Sequence, residues 1–361
     1  MNPISTQSAK FWQNKRVLIT GHTGFKGSWL SLWLNSLGAK VAGYSLEPAT
    51  EPSLFSLAKI GRNVETVYGD VRDLASVESI FKKFKPEIVI HMAAQALVRP
   101  SYRDPVDTYA TNVMGTVHVL DVARKTDSIR AVVNVTSDKC YENREWPWGY
   151  RENEAMGGYD PYSSSKGCSE LVTSAYRRSF FQDASGKMKA GLASGRAGNV
   201  IGGGDWAVDR LIPDCIRALT QGKPVPIRSP KSIRPWQHVL EPLAGYMLLA
   251  EKVWENPVEY SQGWNFGPEA MGAKTVDWIA DRMVKIWGNG ARWDNLSPVD
   301  APHEAQHLKL DCSLANSKLD WHPRLSLEQT LEWVITWYRR CHEGEPAAEL
   351  TLQQIREYER L

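Results

Sequence analysis

The stretch Arg16-Val-Leu-Ile-Thr-Gly-His-Thr-Gly-Phe-Lys-Gly27 constrains the fold of this chain more than any other. Val17, Leu18 and Ile19 form a short apolar run suited to a buried parallel strand, and Trp29, Leu30, Trp33, Leu34 and Leu37 then recur at helical spacing. The period changes at three glycines. Gly21 permits a tight turn, Gly24 lets the backbone approach a pyrophosphate, and Gly27 lets the helix lie close to the strand. The helix N-terminus adds oriented N–H groups for an anion. Strand, phosphate loop and helix in that order predict an α/β fold with a dinucleotide held by Gly21, Thr23, Gly24, Phe25 and Gly27.

The spacing G-x-x-G-x-x-G departs from G-x-G-x-x-G and resembles that of the extended short-chain dehydrogenase/reductase family. The segments that follow alternate as a doubly wound, Rossmann-type parallel sheet requires. Lys40 to Leu46 reads as the second strand, and its end, where a ribose-binding acid usually stands, holds Tyr44, Ser45 and Leu46. Glu47 and Glu51 are the nearest acids, and no Arg or Lys occurs between Val41 and Ala58. A 2′-phosphate finds no counter-charge there, which favours NAD over NADP as cofactor. Asp70 and Val71 follow the strand Val64 to Tyr68; the Asp70 carboxylate can accept a hydrogen bond from an adenine amino group, or cap the next helix, a role equally open to Asp73. Ala93 and Ala94, after the strand Pro86 to His91, let a cofactor lie against the backbone, although close helix packing selects small residues too. Asn112, in a helix from Tyr109 to Ala123, completes the cofactor set.

The chemistry is concentrated after the strand Ile129 to Val135, in Thr136-Ser-Asp-Lys-Cys-Tyr141 and Tyr162-Ser-Ser-Ser-Lys166. Tyr and Lys at i and i+4 share one helix face. Lys166 is then expected to lower the phenol of Tyr162 from its ordinary value of about 10, making it a general base. Asp138 and Lys139, read as an extended strand end, are expected to point in opposite directions.

The first of these segments is similar to the Ser-Thr-Asp-Glu-Val-Tyr motif of the nucleotide-sugar 4,6-dehydratases, with lysine in place of glutamate, a variant that resembles the members acting on CDP-D-glucose. The likeness continues through Arg196-Ala-Gly-Asn-Val-Ile-Gly-Gly-Gly-Asp-Trp206, Arg210-Leu-Ile-Pro213 and Arg234-Pro-Trp-Gln-His-Val239. It implies an NAD-binding Rossmann domain over 1–198, a nucleotide-sugar lobe over 199–361 with the chain crossing back to the first domain, and a homo-oligomer, dimer or tetramer. Short strands near Val225 to Ile227 and Trp264 to Phe266 are placed in that lobe. Gln95, Asn199, Arg210, Pro213, Arg234 and His303 become the substrate set. Arg210 and Arg234 suit a diphosphate because guanidinium forks match phosphate oxygens, and His303 stands where related enzymes place an arginine.

The implied reaction is an internal redox cycle. Tyr162, with Ser137 on the same oxygen and Lys166 beside it, takes the proton of the sugar 4-hydroxyl during oxidation at C4. Lys139 removes the C5 proton, directly or through a water, and Asp138 protonates the departing 6-hydroxyl. The hydride returns to C6, leaving a 4-keto-6-deoxy sugar for deoxysugar and lipopolysaccharide O-antigen biosynthesis. A nucleotide-sugar 4-epimerase shares Tyr162, Lys166 and NAD but needs no acid and base for elimination. A non-catalytic dinucleotide sensor would be expected to have lost the tyrosine or lysine.

Composition narrows the partners. A net charge of +2 gives no bulk attraction to nucleic acid or an anionic membrane. Cys140, Cys168, Cys215, Cys312 and Cys341 are scattered with no C-x-x-C, which argues against a disulfide framework or a thiolate metal site; no metal is expected. Residues 1–15 lack an apolar core, and no run approaches the roughly 20 apolar residues of a membrane span, so the expected compartment is the cytoplasm.

Overall fold

The computed structural model describes residues 6–182, 188–268, 273–296 and 308–361. Seven strands form one parallel sheet: β1 (Arg16–Thr20), β2 (Lys40–Ser45), β3 (Glu65–Tyr68), β4 (Ile88–His91), β5 (Ala131–Val135), β6 (Gly191–Arg196) and β7 (Gly263–Asn265). Their order is β7-β6-β5-β4-β1-β2-β3, so the strand order reverses between β1 and β4, where doubly wound folds place a ligand at the carboxyl ends of the strands. Every residue of β4 and β5 is buried, which explains why both read as apolar runs, interrupted only by His91 and Asn134, rather than alternating ones.

Helices cover both faces. On one, Leu18, Val89 and Val132 of the sheet pack with Val119 and Leu120 of α2 (Gly115–Lys125). On the other, Trp29 and Trp33 of α1 (Phe25–Ser36) are fully buried, as are Leu243 and Met247 of α5 (Leu240–Glu255). The tryptophans of α1 are covered by the last helix, α7 (Ala347–Arg360): the Trp33 indole donates to Glu359 at 2.7 Å, and Tyr358 meets the Trp33 ring edge-on. Tyr358 also donates to the buried carboxylate of Glu241 at 2.6 Å, fixing α7 to α5.

Two expectations change. The strand placed near Trp264 to Phe266 belongs to the main sheet: β7 pairs in parallel with β6, and α5, lying against β5 and β6, carries the chain back to it. The remainder after residue 198 contributes short strand pairs, Val200–Ile201 with Gln237–His238, Ile233–Pro235 with Ala273–Thr275 and Val225–Ile227 with Trp293–Asn295, together with helices α4 (Leu211–Thr220) and α6 (Val276–Trp287). Residues 138–140, read as extended, form a 3₁₀ turn. Among the described residues no helix is long and apolar enough to cross a membrane.

Candidate active site

A cleft of about 670 Å³ opens at the carboxyl ends of β1, β2, β4 and β5 and is closed on its far side by α4 and the residues before it. The glycine loop forms one wall, and each glycine has its own reason. Gly21 has φ 76°, and a Cβ there would meet the Ala93 backbone at 2.8 Å. At Gly27 it would strike the Gly21 carbonyl oxygen at 2.2 Å, so the helix can approach only without a side chain. At Gly24 it would meet only that oxygen, at 3.3 Å; this face is open to the cleft. Gly24 is also the N-cap of α1 and carries no side chain to satisfy the first N–H groups. These features fit the pyrophosphate of a dinucleotide.

The loop is pinned to the end of β2. Thr23 donates to the Leu46 carbonyl at 2.9 Å and lies 2.9 Å from the Ser45 hydroxyl, which in turn is 2.9 Å from His22. The His22 ring fills the space beside Gly43, where a Cβ would approach it to 2.1 Å, and burial pushes its pKa down to about 4. Thr23, Phe25 and Ser45 line the cleft, as do Asp70, Val71, Ala93 and Ala94. Asp73 caps the following helix, accepting from Ser76 N at 3.2 Å, which leaves Asp70 to face the cleft. The Arg72 guanidinium beside Asp70 holds its carboxyl below the usual range.

Three expected contacts are displaced. Tyr44 is fully buried and points to the opposite face of β2, where its hydroxyl donates to the Asp70 carbonyl at 2.8 Å; only its carbonyl serves the loop, accepting from Gly21 N at 2.9 Å. Asn112 lies in a π-helical turn, Ala110–Met114, and binds the backbone N and O of Gln95 at 2.8 and 2.9 Å and the Ser165 hydroxyl at 2.8 Å. Gln95 closes its own loop through Leu97 N and O at 2.6 and 2.9 Å. Neither side chain lines the cleft: both amides satisfy backbone that the loop after β4 leaves unpaired.

The remaining expected residues converge. Helix α3 (Pro161–Phe180) starts at Asp160, whose carboxylate accepts from Ser163 N at 2.9 Å, with Pro161 in the first turn. This start places Tyr162 in the first turn and Lys166 in the second, both lining the cleft. Ser137 caps the 3₁₀ turn, accepting from Lys139 N at 3.2 Å, and donates to Asp138 Oδ1 at 2.9 Å. Asp138 is buried against Gly198 and Lys139 is half-buried; both line the cleft, and the 3₁₀ turn removes the extended backbone from which opposite directions were expected. Asn199, Arg210 and Pro213 border the same cleft, with Arg210 paired to Asp205 at 3.0 Å. The side chain of Arg234 and all of His303 lie outside the described residues.

Electrostatics differ from expectation at the tyrosine. Burial pushes the Tyr162 phenol up to about 12, outweighing the opposing influence of Ser137 and Arg210. Lys166 is itself lowered to about 8 by burial, and its Nζ sits 3.5 Å from the Val135 carbonyl oxygen. Burial thus opposes the charged form of both side chains. Lys26 and Asp205, which also line the cleft, were not among the expected residues; a lysine inside an apolar glycine loop was the available signal for the first.

The family model for GDP-mannose 4,6 dehydratase matches residues 18–334. A CDP-glucose 4,6-dehydratase of Salmonella typhimurium is 56% identical over 349 residues, covering 96% of this chain and 97% of that protein. A dTDP-glucose 4,6-dehydratase of Haemophilus influenzae is 26% identical over 342 residues, 89% of this chain and 97% of that one. Among solved structures, a dTDP-glucose 4,6-dehydratase of Bacillus anthracis in complex with NAD superposes with a TM-score of 0.74 at 21% identity, covering 91% of this chain and 99% of that chain. A UDP-glucose 4-epimerase of Thermotoga maritima gives 0.78 at 21%, covering 90% and 99%. Glycine loop, sheet order and family match agree, and the chain belongs to the GDP-mannose 4,6-dehydratase family of extended short-chain dehydrogenases/reductases.

Proposed function

We propose that this protein is an NAD-dependent hydro-lyase that converts CDP-D-glucose to CDP-4-keto-6-deoxy-D-glucose. The single observation that carries the reading is the convergence of Ser137, Asp138, Lys139 and Tyr162 in one cleft beside the glycine loop, in a chain 56% identical to a CDP-glucose 4,6-dehydratase. A 4-epimerase has no use for an acid and a base placed for elimination.

When bound, NAD supplies a positively charged hydride acceptor at the sugar. The cleft places Glu47 at the end of β2, so a 2′-phosphate meets an acid and NADP is disfavoured. Tyr162 accepts the proton of the 4-hydroxyl, with Ser137 holding the same oxygen and Lys166 one turn further along α3. Oxidation to a ketone acidifies the C5 proton. Lys139, half-buried at the cleft, removes it directly or through a water, and buried Asp138 delivers a proton to the departing 6-hydroxyl from another side. Arg210 and Arg234 take the diphosphate, their guanidinium forks matching phosphate oxygens.

A cytoplasmic setting fits five cysteines with no disulfide among them. A second copy of the chain fits Tyr102, Val106, Met114 and Leu171, large apolar side chains left exposed on the helices that flank the site.

Purified protein incubated with NAD and a panel of CDP-, dTDP-, UDP- and GDP-glucose is expected to form a 4-keto-6-deoxy product, fastest from CDP-glucose and without free NADH. A product epimeric at C4 that keeps its 6-hydroxyl would overturn the reading.

A further inference from the structure

The chain of contacts at the end of β2 admits one arrangement of protons. Thr23 lies 2.9 Å from the Leu46 carbonyl, which can only accept, so the single Thr23 hydroxyl proton goes there. The contact of Thr23 with Ser45, at 2.9 Å, then takes the Ser45 proton. With that proton committed, Ser45 meets His22 Nδ1 at 2.9 Å as an acceptor, and Nδ1 carries the hydrogen. The ring is fully buried and neutral, so Nε2 is bare. Its donor is the Thr66 hydroxyl of β3 at 3.2 Å, which also lies 3.3 Å from the Val64 carbonyl. Packing fixes the ring: Phe55 meets it edge-on with centroids 5.4 Å apart, and it fills the space that a side chain at residue 43 would need.

Every proton of this chain therefore runs from β3 towards Leu46, and none is left for the cleft. Ser45, Leu46 and Glu47 line the cleft, whereas His22 does not. What Ser45 and Glu47 offer there is a lone pair and a carboxylate. Doubly wound folds hold the adenine ribose at this strand end. A ribose hydroxyl can donate to such a wall, but a 2′-phosphate is an anion rich in acceptors and meets no donor from these two side chains. Glu47 repels the phosphate by charge; His22 decides whether the neighbouring hydroxyl can turn to meet it.

Resting only on the dinucleotide part of the proposed function, which a dehydratase and a 4-epimerase share, we propose that His22 is a positioning residue for cofactor choice. By donating to Ser45 it turns the Ser45 proton away from the cleft and onto Thr23, so that Ser45 accepts from the ribose 2′-hydroxyl of NAD and rejects the 2′-phosphate of NADP.

The test is equilibrium binding of NAD and of NADP, measured by calorimetry on the full-length protein freed of bound nucleotide. The quantity read is the ratio of the two dissociation constants, because damage to the glycine loop weakens both dinucleotides together and leaves the ratio where it was. In His22→Phe a ring of similar shape fills the same space without an N–H, and Ser45 is free to turn its proton into the cleft. The ratio is expected to move towards NADP by about tenfold, the scale of one hydrogen bond to a charged group. His22→Asn restores a side-chain N–H donor and is expected to keep the ratio within a few-fold of wild type, even where both affinities fall. In a Ser45→Ala background, His22→Phe is expected to leave the ratio where Ser45→Ala alone puts it, since the effect passes through that hydroxyl. An unchanged ratio in His22→Phe, the same shift with Ser45 absent, or a shift in His22→Asn as large as in His22→Phe would overturn the inference and make His22 a packing residue. A wild type that binds neither dinucleotide would instead remove the cofactor reading, and the inference with it.

Discussion

Tyr162→Phe is expected to lower kcat by a factor of about 10² to 10⁴, the usual contribution of a positioned acid–base group. The variant removes one oxygen from a buried ring and leaves the rest of α3 untouched, so its fold and its affinity for nucleotide should persist. The loss falls on the first chemical step: with no phenolate to accept the 4-hydroxyl proton, bound NADH should fail to appear on mixing with substrate. In the wild type, burial holds the phenol up to about 12 without ligands, so the ionised fraction, and with it C4 oxidation, should rise with pH over the acid side of the profile. Stopped-flow absorbance of bound NADH checks this directly. A Phe variant that oxidises substrate at the wild-type rate would show that another group takes the proton.

Glu170→Ala is expected to destabilise the protein by about 3–5 kcal/mol, the cost of removing one partner from a buried ion pair. Glu170 and Arg196 are separated by 2.8 Å, with side chains 4% and 6% exposed. Ser194 donates to the same carboxylate at 2.7 Å and Thr136 at 2.5 Å, while Arg196 donates to the Tyr141 hydroxyl at 2.7 Å and the Glu152 carbonyl at 2.9 Å. Without Glu170, the guanidinium keeps its charge in an apolar interior. Thr136 immediately precedes Ser137, so the loss also frees the turn that carries Ser137 and Asp138. Urea unfolding with the two-state midpoint and slope compared to wild type measures the effect. Glu170→Gln, which keeps some of the hydrogen bonds, should lose less; an Ala variant within about 1 kcal/mol of wild type would mean that water replaces the carboxylate.

Features set by neighbouring residues were legible in the sequence. The glycine loop, the strand before it, the helix after it and the Tyr162–Lys166 pair depend on local pattern, and the structure brings the loop and the pair to one cleft. What could not be read depends on distant contacts. Tyr44 and Ser45 are one residue apart, so they face opposite sides of β2, and the pattern did not say which faces the cofactor. Gln95 and Asn112 look like ligand-binding amides, but their groups are consumed by a loop whose path follows from the packing of α3. The three residues of β7 carry too little pattern to assign; only α5 lying across β5 and β6 delivers them to the sheet edge. Spacing alone leads to a phenol lowered by Lys166, whereas burial, which sequence does not report, raises it.

The central claim is that one substrate molecule is oxidised at C4 and reduced at C6 within a single cleft. The direct measurement uses CDP-glucose carrying deuterium at C4, mixed with an equal amount of substrate that has ordinary hydrogen at C4 and carbon-13 in the sugar ring, and mass and NMR analysis of the product. The account predicts deuterium at C6 of the labelled molecules only, with none transferred to the other population and none in free NADH. Deuterium retained at C4, or scattered between the two populations, would contradict it.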